Sequence, residues 1–511
     1  MKYRNPIVSG YNPDPSICRV GDDYYLVNSS FEFFPGVPIY HSKNLVNWEA
    51  IGHVLDRRSQ LELDKCNPSG GIYAPTIRYH EGRFYMTTTN VSYGGNFIVH
   101  TDDLAKGWSE PVWVEQSGID PSILFDDDGK VYYTTASNDS EGRQAILISE
   151  INPLTGEKYT ETKVLSYGCG GRYPEGPHLY KINGKYYLML AEGGTEYGHM
   201  ETMQRGDSPY GPFEKCPYNP ILSHREDTRE RIYCTGHADI MEDVNGNWWM
   251  VCLAIRPCGG EKNRILMHNL GRETYLAPIT WTEDGWPIAA EGGLIDIEMD
   301  GPLPGETAPV CRDFADDFST EEFSAHYNFV RNPVMENYVR CTEEKHLLLK
   351  GSEVTLNDMD TPTIVGVRQK GFETVTTTAV YPQQDKNGSR AGLSAYYNHD
   401  YHYEIYVTKD GGKWNVALAK HVHDMYAVTA QAEISLNMGD AVYLKIESDR
   451  EFYHFFYSTD GIIYQKLGSG HVAGLCTEQT RIMTFTGTYL MMFAENGDAK
   501  FADFKVKVKD Y

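Results

Sequence analysis

The sequence predicts an all-β protein with more than one domain. Its 511 residues exceed the size at which a single hydrophobic core stops growing, so two or three domains are expected. Tyrosine is frequent at 37 copies, and aromatic residues, which favour strands, make up 13% of the chain. The 48 glycines fit the many turns that short strands require.

An internal repeat predicts the architecture of the first domain. A turn glycine followed by an aromatic, apolar strand occurs five times, as GDDYYLV, GRFYMTT, GKVYYTT, GKYYLML and GNWWMVC. The glycines lie 61, 47, 55 and 62 residues apart. Each interval accommodates about four strands with their connections, which is one blade of a β-propeller. We therefore predict a five-bladed β-propeller over residues 1–300.

One position in each repeat carries the candidate chemistry. Counting back 11 or 12 residues from the second aromatic of each strand gives Asp14, Ala74, Asp120, Glu175 and His237. Five unrelated hairpins would explain any one of these positions, but not five in the same register with an ionisable residue in four. Because equivalent positions on the innermost strands of a propeller converge near its axis, we expect these side chains to share one site.

The first of these residues stands between two prolines, in NPDPS. Pro13 fixes its own φ, and a residue that precedes a proline is pushed towards extended backbone. We therefore expect Asp14 to be extended and its carboxylate to be aimed in a fixed direction. An Asp-Pro-Ser turn on its own would be an ordinary turn.

A second domain of a different kind is predicted after residue 300. The segment 301–313, in DGPLPGETAPVCRD, is rich in Pro and Gly and reads as a linker. Beyond it the repeat stops, and alternating stretches appear, such as YHYEIYVT, AVYLKIES and KFADFKVKV. With turn signals between them they indicate antiparallel strands. We predict a jelly-roll-like β-sandwich over residues 314–511.

Charge and composition exclude several classes of partner. The net charge of −25 argues against nucleic acid, anionic membranes and acidic substrates. The first residues contain no apolar signal segment and no run of eighteen apolar residues occurs, so a cytoplasmic protein is expected. The ten cysteines form no CxxC pair and are expected to be reduced thiols. A homo-oligomer is allowed, but the sequence does not fix the oligomeric state.

Three carboxylates in a small space can divide the work of acid–base catalysis. Neighbouring like charges and burial raise the pKa of one carboxyl group, so that one keeps its proton while another is ionised. Hydrolysis of a glycosidic bond needs such a pair. Residues facing each other across an axis should be widely spaced, which favours inversion over retention. The same carboxylates with His237 could instead bind a cation.

The carboxylate motifs resemble those of family 43 glycoside hydrolases. The resemblance rests on NPDPS, GIDPSILFDDDGK and EGPHLY, and it continues through FEFFPG, AEGGTEYGH, TGHA, LGRET and FTGTYLMMFA. It implies a five-bladed propeller that hydrolyses β-xylosides or α-L-arabinofuranosides with inversion. It also implies a C-terminal β-sandwich, as in the β-xylosidase branch.

The resemblance also implies a role for each matching residue. Asp14 would be the general base, Glu175 the general acid, and Asp120 would orient the acid and tune its pKa. Arg272 would hydrogen-bond the sugar, although a lone Arg in this place could be a surface ion pair. Phe31 would wall the pocket, or belong to the core.

His237 is the residue through which the resemblance allows a metal. In parts of the family the matching histidine helps to hold a calcium ion or its waters. The resemblance therefore requires no cofactor but allows Ca²⁺ on the propeller axis. As an isolated histidine, His237 would more simply be a hydrogen-bonded structural residue.

Two aromatic residues bear on the substrate. The β-xylosidases of the family carry GGIWAP where this chain has GGIYAP, with Tyr73. A smaller ring bearing a hydroxyl loses apolar contact and gains a polar group, which favours arabinofuranosides or a dual activity. Phe485, in FTGTYL, is the candidate for an aromatic that the second domain inserts into the pocket. It could equally belong to the sandwich core.

Together these observations predict an exo-acting, inverting glycosidase. It would release xylose or arabinose from short xylo- or arabino-oligosaccharides, because a pocket closed by a second domain favours chain ends. A non-catalytic carbohydrate-binding or metal-stabilised propeller is the alternative, and it predicts binding without turnover. A fructan-active propeller of another family is a further option, but its carboxylate motifs differ from EGPHLY.

Overall fold

The structure is a computed structural model that describes residues 1–227, 231–259 and 267–510. Within them the ordered elements are strands and short 3-10 turns, the turns being Leu104–Lys106, Met335–Asn337, Val472–Leu475 and Thr477–Gln479. No helix in this part of the chain is long and apolar enough to cross a membrane. The all-β prediction is confirmed.

The first domain is the predicted five-bladed propeller. Each blade is an antiparallel sheet whose strands follow one another in sequence order, and blade 4 has one extra short strand. The strands are Ser16–Val20, Asp23–Val27, Gly36–Ser42 and Glu49–Leu55 in blade 1; Thr76–His80, Arg83–Asn90, Gly95–Thr101 and Val112–Trp113 in blade 2; Ile119–Phe125, Val131–Asn138, Gln144–Glu150 and Lys163–Ser166 in blade 3; Glu175–Ile182, Lys185–Glu192, Met200–Gly206, Glu214–Lys215 and Leu222–Ser223 in blade 4; Tyr233–Glu242, Trp248–Ile255, Glu273–Trp281 and Pro287–Ala289 in blade 5.

The hydrophobic cores of the propeller lie between neighbouring blades. The first strands of adjacent blades contact each other around the axis. Each pair of neighbours buries its own apolar cluster, as blades 4 and 5 do with Met189 and Met250, and the same holds for the other four pairs. Because the apolar side chains pack between the blades, the axis itself is left for polar groups.

The innermost strands are irregular at the positions that the repeat singled out. Asp14, Asp120 and His237 have φ values of 51°, 53° and 47°, in the left-handed region that non-glycine residues seldom adopt. The strand registers of blades 3, 4 and 5 shift at the same level, at Ile119/Ser122, Glu175/His178 and Gly236/Asp239. Such bulges change the direction in which side chains point, and they occur here in three of the five blades.

The expectation that Asp14 is extended is wrong. Its backbone is left-handed, a conformation that aspartate tolerates better than most residues. Pro15 disfavours the right-handed helical region at Asp14 and favours extended backbone, but the carboxylate contacts with Ser29 and Arg272 hold the residue in the left-handed region instead. The prolines still restrict the direction of the side chain, but through a bend and not through an extended strand.

The second domain is a sandwich of two eight-stranded sheets. The far sheet contains Phe314–Asp316, Tyr338–Cys341, His346–Leu349, Thr374–Pro382, Val442–Ser448, Phe452–Ser458, Gln465–His471 and Ala499–Val508. The propeller-side sheet contains Tyr327–Val330, Thr363–Arg368, Arg390–Asn398, Tyr401–Asp410, Lys413–Val422, Met425–Ile434 and Tyr489–Glu495. A large apolar core lies between them, with Leu393, Phe455 and Phe501 fully buried.

The propeller supplies the eighth strand of the propeller-side sheet. The short strand Phe33–Phe34 leaves blade 1 and pairs with Tyr327–Val330 of the sandwich. A mixed apolar cluster surrounds this crossing, in which Tyr11 and Phe31 of the propeller pack with Tyr489 of the sandwich. The two domains therefore share a sheet and a core, which fixes the sandwich over one end of the propeller.

The remaining elements close the chain around the propeller. The first strand, Lys2–Arg4, pairs with Glu298–Asp300, and the segment after it leads into Phe314–Asp316 of the sandwich. The ten cysteines are free thiols, as the sequence predicts. The predicted domain limits at residues 300 and 314 stay predictions.

Candidate active site

Three carboxylates from different blades approach the axis at one end of the propeller. Asp14 stands just before the innermost strand of blade 1, Asp120 is the second residue of that of blade 3, and Glu175 is the first residue of that of blade 4. Asp14 and Asp120 are 4% and 7% exposed. Charges on these residues perturb one another's pKa, so the structure brings the predicted trio together.

Asp14 is held as an ionised carboxylate. Its Oδ1 accepts a hydrogen bond of 2.9 Å from Arg272 Nη1, and its Oδ2 accepts one of 2.5 Å from Ser29 Oγ. Burial by itself would raise the pKa of Asp14. The charges of Arg272 and His237 and the bond from Ser29 outweigh it and lower the pKa below its ordinary value. Asp14 is therefore a base at neutral pH.

Glu175 is held as a protonated acid. Burial and the negative charges of Asp120 and Asp14 raise its pKa from 4.5 to about 8. Within residues 1–227, 231–259 and 267–510 no group donates a hydrogen bond to its carboxyl group. At neutral pH the group therefore carries a proton that it can transfer to a bound molecule.

Asp120 links these two groups. Its Oδ2 accepts a hydrogen bond of 3.0 Å from the backbone N–H of Gly176, the residue after Glu175. Burial raises the pKa of Asp120, and Asp14 adds to the shift, while His237 opposes it. Asp120 thus fixes the strand that carries Glu175 and supplies part of the charge that keeps Glu175 protonated.

Arg272 connects the carboxylates to the second domain. Besides its two contacts with Asp14, it donates to Thr195 Oγ1 at 3.2 Å and to the backbone carbonyl of Phe485 at 3.3 Å. Its guanidinium lies 5.8 Å and 5.5 Å from the ring centroids of Phe31 and Phe485. The residue is 6% exposed, so it belongs to the site and is not a surface ion pair.

Three aromatic rings wall the site on the sandwich side. The Phe31 ring lies 5.1 Å from Tyr73 and 5.8 Å from Phe485, and Tyr73 lies 6.1 Å from Phe485. The backbone N–H of Phe485 donates to Ser69 Oγ of the propeller at 2.8 Å. Phe485 packs in the cluster between the domains, so the structure places it at the pocket and not in the sandwich core.

Tyr73 keeps a neutral hydroxyl in this wall. Burial, and the nearby charge of Asp120, raise the pKa of Tyr73 to about 12. The residue is partly exposed, and its ring edge faces Phe485. A phenol in this position can donate a hydrogen bond to a sugar through its hydroxyl. The tryptophan of the family pattern would donate from its indole N–H, at a different position.

His237 lies beside the carboxylates. Its Nδ1 is 3.9 Å from Asp14 Oδ1, and its ring packs on Gly176. A Cβ at Gly176 would lie 3.2 Å from that ring, and the φ of this glycine is +55°. A side chain at this position would therefore push the histidine away from the site.

The described donor set does not fit a calcium ion well. Calcium takes six to eight oxygen ligands, whereas here Asp14 is engaged by a guanidinium and His237 offers nitrogen. No group of three or more His, Cys, Asp or Glu residues is arranged to hold a metal among the residues that the structure describes. A calcium ion at the axis stays a prediction, and no chemical step is derived from it.

A guanidinium already occupies the axis next to the carboxylates. Arg78 of blade 2 donates to Asp239 of blade 5 at 2.7 Å, to Ser16 of blade 1 at 3.2 Å, and contacts His178 of blade 4 at 3.0 Å. Its contacts therefore join four innermost strands. The positive charge of Arg78 thus neutralises Asp239 at the axis.

Sequence reasoning missed several residues that support the site. Ser29 has no motif of its own, and it lies inside blade 1, in the connection after the strand Asp23–Val27, whose geometry no repeat predicts. Thr195 and His199 lie in AEGGTEYGH, whose likeness to the family pointed to this loop without naming them. The Nδ1 of His199 lies 2.9 Å from the carbonyl oxygen of Cys234, and burial lowers its pKa to about 4, so His199 is a neutral neighbour of the carboxylates.

The geometry defines a class of chemistry. A base and an acid with opposite pKa shifts face one space, and a buried arginine and three aromatic rings border it. Such an arrangement can protonate a leaving oxygen and activate a water molecule in the same step. No covalent nucleophile is required for that step.

Comparison with family models gives two matches that together span most of the chain. The model for "Glycosyl hydrolases family 43" matches residues 3–287. The model for "Beta xylosidase C-terminal Concanavalin A-like domain" matches residues 315–507. Both matches fall on the domains as the structure has them, the propeller and the sandwich.

Individual relatives agree over the full length. The chain is 39% identical over 511 residues to a non-reducing end alpha-L-arabinofuranosidase of Bacteroides ovatus, covering 97% of this chain and 92% of the relative. It is 41% identical over 423 residues to a xylosidase/arabinosidase of Butyrivibrio fibrisolvens, covering 80% of each.

Solved structures superpose on both domains. The Bacteroides ovatus xyloglucan PUL protein GH43B has a TM-score of 0.93 at 37% identity, covering 100% of both chains. A xylan beta-1,4-xylosidase from Bacillus halodurans has a TM-score of 0.91 at 32% identity, covering 99% of both. The likeness therefore includes the placement of the sandwich against the propeller.

Proposed function

The chain belongs to family 43 of the glycosyl hydrolases, and we propose that it removes terminal α-L-arabinofuranosyl and β-D-xylosyl units from short oligosaccharides with inversion. It is a glycoside hydrolase, so the alternative of a propeller that only binds carbohydrate is set aside. The proposal concerns the sugar, the stereochemistry and the role of each residue.

The observation that carries the proposal is the opposite pKa shift of Asp14 and Glu175. Asp14 stays ionised because Arg272 and Ser29 bind its charged form. Glu175 stays protonated because burial and Asp120 disfavour its charge. Two carboxyl groups with pKa values pushed apart are the arrangement that acid–base hydrolysis requires.

In the proposed reaction Glu175 gives its proton to the glycosidic oxygen as the bond to the anomeric carbon breaks. Asp14 takes a proton from a water molecule, whose oxygen attacks that carbon from the opposite face. The products are a free sugar of inverted configuration and the shortened oligosaccharide. Asp120 holds Glu175 through the N–H of Gly176 and helps to raise the pKa of the acid.

Arg272 and the aromatic wall would position the terminal sugar. Arg272 is fixed by Asp14 and Thr195, so its guanidinium is held in place beside the aromatic wall. Phe31 and Phe485 provide apolar faces on which a pentose ring can pack. Because Phe485 comes from the sandwich and Phe31 from the propeller, the pocket exists only while both domains are in place.

An open groove next to this pocket supports a short oligosaccharide substrate. Ser69, Tyr73, Tyr93, Met483 and Phe485 are among the residues that line it, so it starts at the aromatic wall and runs outward. The remainder of the substrate, beyond the terminal sugar, would leave the pocket along this groove. A pocket walled by residues of both domains and continued by one groove would favour attack at chain ends.

Two observations support activity on both sugars. Relatives that cover 97% and 80% of this chain are named as an alpha-L-arabinofuranosidase and as a xylosidase/arabinosidase, respectively. In addition, Tyr73 brings a neutral hydroxyl to the wall where the family's β-xylosidases carry a larger apolar ring. An added hydroxyl donor can bind an oxygen of the furanoside form without excluding the pyranoside.

A panel of aryl glycosides tests the proposal. Wild type should release aglycone from aryl α-L-arabinofuranoside and aryl β-D-xyloside, and NMR should detect the inverted anomer of each sugar before mutarotation. Glu175→Ala should lose turnover of oligosaccharides. Retained anomers would overturn the stereochemistry, and unchanged turnover of both substrates by Glu175→Ala would overturn the assignment of the acid.

A further inference from the structure

A small, partly open cavity lies between blade 1, the linker and the sandwich, away from the active-site pocket. It has a volume of about 10 Å³. Its polar lining consists of Tyr40, Arg312, His326, Arg368 and Lys370, and apolar residues of both sandwich sheets complete it. The cavity therefore gathers three basic side chains and a histidine around a space with room for one small occupant.

Arg368 contributes a buried charge that is only partly satisfied. It is 5% exposed, and its Nη1 donates to Asn328 Oδ1 at 2.6 Å. Its Nε and Nη2 are buried and have no acceptor within the described residues. The rings of Tyr11 and Tyr489, at 5.4 Å and 5.6 Å, compensate part of the charge from the side.

Lys370 adds a second positive charge at the same cavity. Burial and the charges of Arg368 and Arg312 lower the pKa of Lys370 to about 8. The same positive field lowers the pKa of two nearby imidazoles, His326 and His53, to about 3 in each case, with burial as the larger cause. Lys370 still carries most of its charge at neutral pH, while both histidines are neutral.

No acidic side chain balances Arg368 and Lys370. Neither forms an ion pair with a carboxylate in the part of the chain that the structure describes. This is unexpected in a protein whose net charge is −25, since acidic residues are plentiful. Buried charges are normally paired, so a negative partner from outside the chain is the simplest way to satisfy this site.

We propose that the cavity binds one small inorganic anion of about the size of chloride. The unpaired Nη2 and Nε of Arg368 and the ammonium of Lys370 supply donors, whereas the Tyr40 hydroxyl donates to Asn12 Oδ1 at 2.6 Å and is not one of them. The apolar residues of the wall favour a weakly hydrated halide over an anion such as sulfate, which is too large for the space. The anion would join blade 1 and the linker to the sandwich.

Anomalous diffraction tests the occupant directly. Crystals grown without halide and soaked in bromide should show an anomalous peak inside the cavity, within bonding distance of Arg368 Nη2 and Lys370 Nζ. A cavity that holds only water, with bromide peaks confined to the surface, would overturn the proposal. A peak from sulfate but not from bromide would overturn the size assignment.

Thermal unfolding of the whole protein provides the second test. At constant ionic strength and pH 7, replacing gluconate by chloride should raise the Tm of wild type, because an ion that binds the folded state stabilises it by mass action. Lys370→Met should abolish this rise. In gluconate the same variant should melt above wild type, because it removes an unbalanced charge.

Lys420→Met is the matched control. Lys420 is also a half-buried lysine of the sandwich, with its pKa lowered by burial, but it donates to the carbonyl of Ser469 at 2.6 Å and does not line the cavity. It should keep the full chloride-dependent rise in Tm. A chloride response absent from wild type, or retained in Lys370→Met, would show that the cavity binds no anion.

Discussion

The innermost strands carry the buried carboxylate of Asp239 and the catalytic carboxyl groups, and the two differ in how fully hydrogen bonds and cations balance their charge. Asp239 is fully buried, and its two oxygens accept hydrogen bonds from Ser16, Ile17, Arg78, Tyr180 and Ile240. Burial alone would raise its pKa, but Arg78, His178 and these bonds hold it far below the ordinary value. Asp239 therefore fastens blades 1, 2, 4 and 5 together.

The second group is the catalytic trio, which lies a few residues away at the ends of the same strands. Its negative charges repel one another and are not fully balanced. The charges of Asp14, Asp120 and Glu175 shift one another's pKa. Asp14 and Asp120 also adopt left-handed backbone. Among the residues that the structure describes, Asp14 alone of the three has a cationic ion-pair partner, Arg272. The comparison teaches that a carboxylate stabilises the propeller where donors satisfy both of its oxygens, and takes part in chemistry where neighbouring carboxyl groups shift one another's pKa.

Glu175→Gln should produce the largest effect, a loss of kcat on xylo- or arabino-oligosaccharides of about 10³-fold, because the amide cannot supply the proton. The substitution keeps the size of the side chain, so the circular dichroism spectrum should be unchanged. Turnover is measured with oligosaccharides and with aryl glycosides of low leaving-group pKa.

The aryl glycosides test whether Glu175 is the general acid, because a good leaving group departs with little help from a proton donor. The loss of kcat should be much smaller for them than for the oligosaccharides. An equal loss on both kinds of substrate would mean that Glu175 does not act as the acid, and Asp120 would then be the next candidate.

Asp239→Asn should do the opposite and lower stability with little effect on catalysis. The amide leaves the buried charge of Arg78 without its partner, which costs about 3–5 kcal/mol of unfolding free energy. The kcat of the folded protein should stay within about threefold of wild type, because Asp239 does not reach the substrate space. The free energy is measured by urea unfolding.

A matched surface pair provides the control for this substitution. Asp102→Asn breaks the exposed contact between Asp102 and Arg83, and exposed pairs contribute at most about 1 kcal/mol. If Asp239→Asn were no more destabilising than Asp102→Asn, the axis would not depend on the Asp239–Arg78 pair, and the contrast between the two groups would fail.

The sequence could predict the catalytic carboxylates but not the Asp239–Arg78 pair, and the reason is physical. Asp14, Asp120 and Glu175 were found because they occupy one register of a repeat, and a repeat fixes where equivalent positions meet. Asp239 also lies on an innermost strand, but its partner Arg78 lies 161 residues away in blade 2. Nothing in the local pattern links the two, because side-chain pairing across the axis depends on packing.

The contacts between the two domains could not be predicted from local sequence patterns, for the same reason. Phe485 was proposed as an insertion from the family pattern, with a core position as the equal alternative. The strand Phe33–Phe34, by contrast, reads as part of blade 1, and its pairing with Tyr327–Val330 depends on a partner almost three hundred residues later. Likewise the left-handed Asp14 follows from contacts to Ser29 and Arg272 that local rules for proline do not contain.

Glu175→Gln should also make the protein more stable in alkali, which extends the comparison from activity to folding. The native pKa of Glu175 is raised to about 8 from an ordinary 4.5. The folded state therefore keeps a proton that the unfolded state loses, and its contribution to stability falls as the pH rises through this interval. At pH 9 the variant should exceed wild type by about 2 kcal/mol, allowing for partial exposure.

At pH 4 the two proteins should be equally stable, since Glu175 is then neutral in both states. Urea unfolding at pH 4 and pH 9 measures the difference. Glu157→Gln, at an exposed position of blade 3, serves as the control and should show no such pH-dependent gain. A Glu175→Gln variant that gained nothing at pH 9 would mean that Glu175 is not destabilised by its neighbours.

Tyr73→Trp should have the smallest effect, a change of sugar preference without a change of either carboxylate group. The larger ring adds apolar contact with Phe31 and Phe485 and removes the hydroxyl that a furanoside would bind. The ratio of kcat/KM for aryl β-xyloside over aryl α-L-arabinofuranoside should rise on the order of tenfold, while the pH profile set by Asp14 and Glu175 stays the same. Tyr73→Phe separates the two causes, because it removes only the hydroxyl: a fall in arabinofuranoside kcat/KM alone identifies the hydrogen bond, and an unchanged ratio in both variants would show that Tyr73 does not choose the sugar.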